Sequence, residues 1–242
     1  MKNNLRRALQ RILGLDLYLL GFALYRVVAS PVDPRDRAFR HFLRLVPSDA
    51  LALDIGANVG ATTFALARRA RVVHAFEPVQ AHARCIRRLL ALVRRRNVSV
   101  HETALGASRG EVEMCLAEAA GAVLPGLARV AGPEVKGRRV SVACTTLDSL
   151  RDSLGGRVGA MKIDVEDFEA EVLGGARFLI ERDRPVILAE LWRTPNRARA
   201  LSLLGGLGYD CFVLDLSGAL VPFESERHEH WLDFFFLPTS LS

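Results

Sequence analysis

Short apolar runs alternate along this chain with longer segments in which apolar residues recur at helical spacing. The runs of five to seven residues are too short for typical helices, and most end at a glycine or an acid, so the pattern predicts buried strands. These predicted buried strands are Ala50–Ile55, Val72–Phe76, Gly159–Val165 and Val186–Leu191. Regular alternation of strands with amphipathic helices indicates βαβ units and a parallel sheet.

Other segments complete this prediction. Right-handed crossovers place helices on both faces of the sheet, so we predict a doubly wound α/β domain over residues 46–242, preceded by an N-terminal helical extension over residues 1–45. The predicted helices are Arg37–Leu45, Gly60–Ala70, Ala81–Val93, Glu169–Ile180 and Asn196–Leu207. Further predicted strands are Val98–Leu105, Tyr209–Leu214 and Trp231–Leu237, with more exposed strands at Glu111–Leu116 and Arg139–Cys144 on either side of a loose stretch, Ala119–Gly137.

The most apolar segment lies near the N-terminus, at residues 12–29. Asp16 and Arg26 interrupt it, whereas a spanning helix needs about 20 consecutive apolar residues, so the segment does not predict a transmembrane helix. We favour a helix packed against the following domain or against a second copy. The basic residues Lys2, Arg6 and Arg11 leave open a helix lying on a membrane surface, such as the inner face of the cytoplasmic membrane.

The basic charge does not indicate a nucleic-acid partner. The chain has 33 Lys+Arg against 27 Asp+Glu, a net charge of +6. Arginines are concentrated in residues 78–100, where no aromatic residue is present for base stacking, so the segment favours the solvated face of a surface helix. The four cysteines show no metal-ligand or disulfide spacing, which predicts free thiols, no metal and a cytoplasmic location.

The end of the first predicted strand carries a glycine-rich loop. Asp54 lies inside an apolar run, where an unpartnered acid would be costly, and Gly56 and Gly60 allow a tight turn close to a ligand. Asn58 falls where a dinucleotide fingerprint would have its second glycine. The loop therefore predicts a ligand site that differs from a standard dinucleotide site.

Three further predicted strands end in charged residues. Glu77 follows the second strand, where a carboxylate can accept hydrogen bonds from both hydroxyls of a ribose. Lys162, Asp164 and Glu166 lie at the end of the predicted strand Gly159–Val165, and alternation places them on one side. Glu190 ends the next strand. Because ligands of such sheets bind beyond the carboxyl ends of the strands, these residues predict one cleft.

The motifs at these positions together resemble those of FkbM-family methyltransferases. The resembling segments, in order, are Asp54–Gly60 (DIGANVG), Ala75–Pro78 (AFEP), Ala104–Gly106 (ALG), Thr146–Asp148 (TLD), Lys162–Glu166 (KIDVE) and Glu171–Ala176 (EVLGGA). The resemblance implies a class I fold with a mostly parallel, seven-stranded sheet and S-adenosylmethionine as cofactor. It implies that Asp54, Gly56, Asn58 and Gly60 lie under the methionine part, that Glu77 holds the ribose, and that the backbone near Thr103–Leu105 contacts the adenine.

The resemblance also implies the reaction. Family members methylate hydroxyls of sugars and polyketide-type compounds, so we expect O-methylation of a glycan or small-molecule hydroxyl. Asp164 is the first candidate for the base that takes the hydroxyl proton, with Glu166 and Glu190 as further candidates. Asp167 stands where the family usually has glycine, which could reshape the acceptor pocket. Two other classes stay open: a nicotinamide-dependent oxidoreductase and a non-catalytic, membrane-associated nucleoside-binding protein.

Overall fold

The computed structural model of the chain describes residues 2–119, 122–130 and 137–239. Its helices are α1 (Lys2–Ala29), α2 (Arg37–Leu45), α3 (Ala61–Ala67), α4 (Gln80–Leu92), α5 (Leu147–Leu150), α6 (Glu169–Gly174), α7 (Arg177–Asp183) and α8 (Pro195–Gly206). Its strands are β1 (Leu51–Ile55), β2 (Val72–Phe76), β3 (Val98–His101), β4 (Ala104–Leu105), β5 (Gly110–Ala119), β6 (Ala122–Val130), β7 (Arg138–Thr145), β8 (Val158–Ile163), β9 (Val186–Glu190), β10 (Tyr209–Leu214), β11 (Leu220–Pro222) and β12 (Asp233–Pro238).

The main sheet has the strand order β11-β10-β12-β9-β8-β1-β2-β3. The strands from β9 to β3 are parallel, and β12 and β10 are antiparallel to their neighbours. The predicted doubly wound, mostly parallel sheet is therefore confirmed, but it has eight strands instead of seven. The additional strand forms because Asp215 accepts backbone N–H groups of Gly218 and Ala219 and turns the chain back onto β10.

The centre of the sheet explains why its strands could be recognised. All residues of β1 and of β8 are buried. In β1, Leu51, Leu53 and Ile55 pack into one apolar cluster and Ala52 packs into another. Both faces of these strands are thus covered, which requires the nearly continuous apolar runs that the sequence shows.

A second, smaller sheet has the order β4-β7-β5-β6 and corrects the prediction of one strand over Val98–Leu105. The chain leaves the main sheet after β3, Thr103 donates a hydrogen bond to the Ala143 carbonyl, and β4 pairs with β7 instead. The stretch predicted to be loose, Ala119–Gly137, contains β6, whereas its residues 120–121 and 131–136 lie outside the described residues.

The single helix predicted over Glu169–Ile180 is two helices, α6 and α7. A side chain on Gly175 would place its Cβ 2.0 Å from the Gly106 carbonyl oxygen, so this bend requires glycine. Asp148 then accepts backbone N–H groups of Phe178 and Leu179 at the start of α7. These long-range contacts replace the helical hydrogen bonds lost at the bend.

The N-terminal helix α1 packs against the domain, as we favoured from the sequence. Leu19 and Ala23 are fully buried in a cluster with Cys85 and Leu89 of α4. Gly14 has φ +75° and interrupts the helical conformation. Residues 8–29 of α1 are long and apolar enough to cross a membrane, whereas the sequence predicted no transmembrane helix. A core helix of a soluble protein or a signal sequence can have the same length and composition.

Candidate active site

Asp54 is an internal support of the glycine-rich loop. Its side chain is fully buried, and Oδ2 accepts hydrogen bonds from the hydroxyls of Thr62 (2.8 Å) and Thr63 (2.6 Å) in α3. Its Oδ1 lies 3.7 Å from Nζ of Lys162. Asp54 therefore joins the end of β1 to α3 and β8, and it does not line the cavity described below.

Gly56 and Gly60 are required for different reasons. At Gly56, φ is +81° and an added Cβ would lie 1.9 Å from the Asp164 carbonyl oxygen. At Gly60, φ is +88° and the Cβ would lie 3.0 Å from the Ile86 side chain. Gly56 thus brings the loops after β1 and β8 together, whereas Gly60 lets α3 begin close to α4.

Glu77 is held rigidly by the backbone around it. Its Oε2 accepts the N–H of Asn58 at 2.8 Å, and its Oε1 accepts the N–H of Val79 at 2.8 Å. Nδ1 of His82 lies 3.5 Å from Oε1. Each carboxylate oxygen retains a lone pair, so this buried acid can still accept hydrogen bonds from a ligand.

One cavity of about 670 Å³, partly continuous with solvent, lies at the carboxyl ends of β1, β2 and β8. The predicted residues that line it are Gly56, Asn58, Glu77, Asp164, Glu166 and the segment 103–105. The structure does not bring Asp54, Gly60 or Glu190 to its lining. Sequence reasoning did not single out Phe76 and Val165, although both lie inside the quoted motifs. It also missed four residues of other segments that only folding brings to the cavity: His82 of α4, Met114 of β5, Val130 of β6 and Phe168 before α6.

Lys162 connects the two sides of this edge. Its nearly buried Nζ lies 3.0 Å from Asp164 Oδ2 and 3.4 Å from the carbonyl oxygen of Gly56. Burial disfavours its charged form, but the carboxylates of Asp164 and Asp54 outweigh burial and raise the pKa of Lys162. Lys162 is therefore a permanent ammonium beside Asp164, and the predicted placement of both side chains on one side is confirmed.

A second acidic pair lies beyond Asp164. Glu190 of β9 and Asp233 of β12 are directly opposite in antiparallel register. Burial and then the Asp164 carboxylate raise the pKa of Glu190, while the indole of Trp192 donates to its Oε1. Burial, Glu190 and Asp164 raise the pKa of Asp233 to about 7. Sequence reasoning missed Asp233, although an acid next to the apolar run Phe234–Phe236 was a visible signal.

The loop after β8 has an unusual backbone. Glu166 (φ 56°) and Asp167 (φ 74°) both adopt the left-handed conformation that favours glycine. Asp167 does not line the cavity: its Oδ1 accepts a hydrogen bond from Thr194 at 2.5 Å, just before α8. Buried Glu169 accepts N–H groups of Val165 and Asp167 from below, and burial raises its pKa to about 7.

No group of three or more potential His, Cys, Asp or Glu ligands comes together among residues 2–119, 122–130 and 137–239. His228 has a structural contact: its Nδ1 accepts a hydrogen bond from the backbone N–H of Glu224. The four cysteines form no disulfide with one another, as predicted.

Comparison with known proteins identifies the motifs. The model of the methyltransferase FkbM domain matches residues 54–237. The fold is similar to that of an FkbM methyltransferase from Methylobacillus flagellatus, with a TM-score of 0.52, 14% identity and coverage of 96% of this chain. This chain spans 60% of that protein's length. No curated protein sequence matches it.

Two other solved structures share the fold. A Streptococcus mutans protein assigned as a methyltransferase, in complex with SAH, has a TM-score of 0.50 and 9% identity over 85% of this chain and 98% of its own. An rRNA methylase from Streptococcus thermophilus has a TM-score of 0.51 and 10% identity over 86% of this chain and 98% of its own. At such identities the likeness concerns the fold alone.

Proposed function

The chain belongs to the FkbM methyltransferase family, and we propose that it methylates a hydroxyl group of a sugar, a glycan or a secondary metabolite. Its cofactor is S-adenosylmethionine, which would supply, when bound, a sulfonium methyl group for transfer to a nucleophilic oxygen, with SAH as the leaving group. Family membership favours this function over a nicotinamide-dependent oxidoreductase or a non-catalytic nucleoside-binding protein. The loop without a GxGxxG fingerprint supports the same choice.

The residues around the cavity fit this cofactor. Glu77 is buried, is fixed by two backbone N–H groups and retains acceptor capacity for two ribose hydroxyls. Asn58 Oδ1 is a buried acceptor at the cavity with no hydrogen-bond partner among the described residues, so a donor group of the cofactor would satisfy it. Leu105, Met114 and Phe168 supply apolar surface for an adenine ring near the segment 103–105.

Asp164 carries the proposal for the chemical step. It lines the cavity, about one third of its side chain is exposed, and its Oδ2 is held by the ammonium of Lys162 at 3.0 Å. We assign to its carboxylate the removal of the proton from the acceptor hydroxyl. A positioned base contributes typically about 10²–10⁴-fold to the rate, and Lys162 prevents the side chain from rotating away.

Glu166 and Glu190 receive different parts in this proposal. Glu166 lines the cavity, so it is placed to contact the acceptor directly. Glu190 lies outside the cavity lining, opposite Asp233 in the sheet, and burial followed by the Asp164 carboxylate raises its pKa. We therefore assign it no direct contact with the acceptor: it acts on Asp164 through its charge.

The test is methyl transfer from labelled cofactor to a panel of glycans, secondary metabolites and matched amine compounds. With a hydroxyl acceptor identified, Asp164→Asn should lower kcat by about 100-fold or more, while SAH binding by calorimetry stays near wild type. Asp152→Asn, a change of a highly exposed acid outside the cavity, should leave kcat unchanged. Undiminished transfer by Asp164→Asn would remove Asp164 from the mechanism, and transfer to amines alone would contradict O-methylation.

The remaining expectations about organisation are also proposals. We propose that residues 1–45 form an extension to a catalytic domain over residues 46–242, and that the enzyme acts in the cytoplasm without a nucleic-acid partner. The pairing of Arg84 and Arg88 with Asp16, and of Arg87 with Glu102, supports the last point. These arginines of α4 compensate acids of the chain itself.

A further inference from the structure

Helix α1 has one face committed to the domain. Leu19 and Ala23 are fully buried against α4. Asp16 on the same side lies 2.9 Å from Arg88 and 3.6 Å from Arg84. Arg26 likewise pairs with Asp36 at 2.9 Å. The part of α1 after Gly14 is thus held against the domain, and its two charged residues, Asp16 and Arg26, are both paired with neighbours.

The opposite face of α1 is apolar and exposed. Leu17, Gly21, Tyr25 and Val28 recur at helical spacing and form what we call the outer stripe. The exposed fractions are 58% for Leu17, 62% for Tyr25 and 77% for Val28. Ile12, at 78%, continues the apolar surface before the kink at Gly14. Exposed apolar rows of this kind mark interaction surfaces.

The basic charge at the start of α1 indicates the chemical class of the partner, which should be anionic. Lys2, Arg6, Arg7 and Arg11 precede the outer stripe, and no acid occurs before Asp16. A basic end followed by an exposed apolar face is typical of helices that lie in the interface of an anionic membrane. We propose that α1 docks this enzyme onto an anionic lipid surface, with the outer stripe entering the headgroup region and the basic end contacting lipid phosphates.

Other occupants of the stripe fit less well. To cross the bilayer, α1 would have to withdraw Leu19 and Ala23 from their cluster and separate Asp16 from Arg84 and Arg88, exposing charge to hydrocarbon. A second copy would bring no free acid on α1 to the basic end, because Asp16 is already paired. An anionic surface satisfies the stripe and the charge together. The inference does not depend on the methyl acceptor.

The experiment is flotation of the purified full chain with lipid vesicles. One set is phosphatidylcholine alone, and the other contains about one third phosphatidylglycerol. The variant Leu17→Gln/Val28→Gln removes apolar side chains from the outer stripe. The matched control is Phe178→Gln/Leu216→Gln, since these side chains are 67% and 88% exposed and lie elsewhere on the domain. A thermal shift with SAH checks that every variant is folded.

Wild type and the matched control should float with anionic vesicles and not with neutral ones. Leu17→Gln/Val28→Gln should lower the partition coefficient at least about tenfold. Arg6→Gln/Arg11→Gln should lower it mainly at low salt, where the electrostatic contribution is largest. Equal flotation of the stripe variant and the control would overturn the proposal. So would a wild-type dimer that ignores vesicles and becomes monomeric in the stripe variant.

Discussion

The two halves of the candidate active-site edge compensate their acids in different ways. On the proposed cofactor side, Glu77 has backbone N–H donors on both carboxylate oxygens, and Asp54 has two threonine hydroxyls in addition to the Lys162 ammonium 3.7 Å away. On the proposed acceptor side, Asp164, Glu190 and Asp233 have no such set of fixed donors among the described residues and depend mainly on the charge of Lys162. The first half is therefore organised before any ligand binds.

In the half proposed to bind the acceptor, the charge of the carboxylates is only partly compensated. Carboxylates buried near one another cannot all ionise without a penalty, and the pKa of Asp233 and of Glu190 rises for that reason as well as by burial. A ligand that donates hydroxyl hydrogen bonds can relieve this repulsion. Acids that are fixed by hydrogen bonds thus suit the binding of a cofactor that is the same in every turnover. Acids that lie close to one another suit the proposed site, which must exchange protons with an acceptor.

The largest effect should come from Gly56→Ala, which disturbs the junction of the two halves. The new Cβ would overlap the Asp164 carbonyl, and the backbone would keep a positive φ. We expect a loss of at least about 3 kcal/mol in the free energy of unfolding, measured by denaturant titration.

Gly155→Ala is the matched control, because its φ of +76° is similar but no atom lies within 4 Å of the added Cβ. It should cost only about 1 kcal/mol. Equal losses in the two variants would mean that φ alone, and not the contact between the two loops, makes Gly56 necessary.

Glu77→Gln tests the rigid half. One carboxylate oxygen becomes an NH₂ group that must face the N–H of Asn58 or of Val79, so one backbone donor loses its partner. We expect about 1–3 kcal/mol of destabilisation and a loss of SAH affinity of about tenfold or more by calorimetry.

Glu102→Gln provides the comparison, since Glu102 follows β3 and pairs with Arg87 at the surface. It should change both quantities little. Wild-type SAH affinity in Glu77→Gln would contradict the proposed contact with the ribose.

Asp233→Asn tests the closely spaced acids of the proposed acceptor half through the pH dependence of the free energy of unfolding. The pKa of Asp233 is about 7 in the folded chain, against 3.8 for an unperturbed aspartate. Between these values the folded state binds more protons, so Asp233 lowers wild-type stability as pH rises from about 4 to 7. The Asn variant lacks this loss.

Relative to wild type, Asp233→Asn should therefore gain about 1–2 kcal/mol between pH 4 and pH 7, less than the full pKa shift implies because the side chain keeps some solvent contact. Thermal denaturation at several pH values measures it. The matched variant Asp210→Asn, at an exposed position on β10, should show no such gain. If the stability of Asp233→Asn and of wild type changed in parallel with pH, the raised pKa of Asp233 would be contradicted.

Asp167→Gly should have the smallest effect. Glycine relieves the strain of φ 74°, about 1 kcal/mol, but loses the hydrogen bond from Thr194, also about 1 kcal/mol. The free energy of unfolding should stay within about 1 kcal/mol of wild type. Asp167→Ala keeps the strain without the bond and should be the less stable of the two; the reverse order would show that the bond contributes nothing.

Local sequence patterns were sufficient to predict an element wherever the burial or position of that one segment determines its residues. The strands β1, β2 and β8 could be predicted because strands buried on both faces must be largely apolar. Glu77 could be predicted because a strand end in a parallel sheet has a known orientation. The errors fall where distant segments meet: at the exchange of sheets after β3, at Gly175 against Gly106, and at Asp233, whose partner Glu190 is set by strand register.

The sequence by itself determined the α/β class, the family motifs, and the acids that surround the candidate site. Only the tertiary structure decided which acids face the cavity, which are internal supports such as Asp54, and which lie opposite each other with raised pKa values, as Glu190 and Asp233 do. The physical reason is that a strand's apolar pattern follows from its own burial, whereas the ionisation and exposure of a carboxylate depend on donors and charges that other segments bring to it.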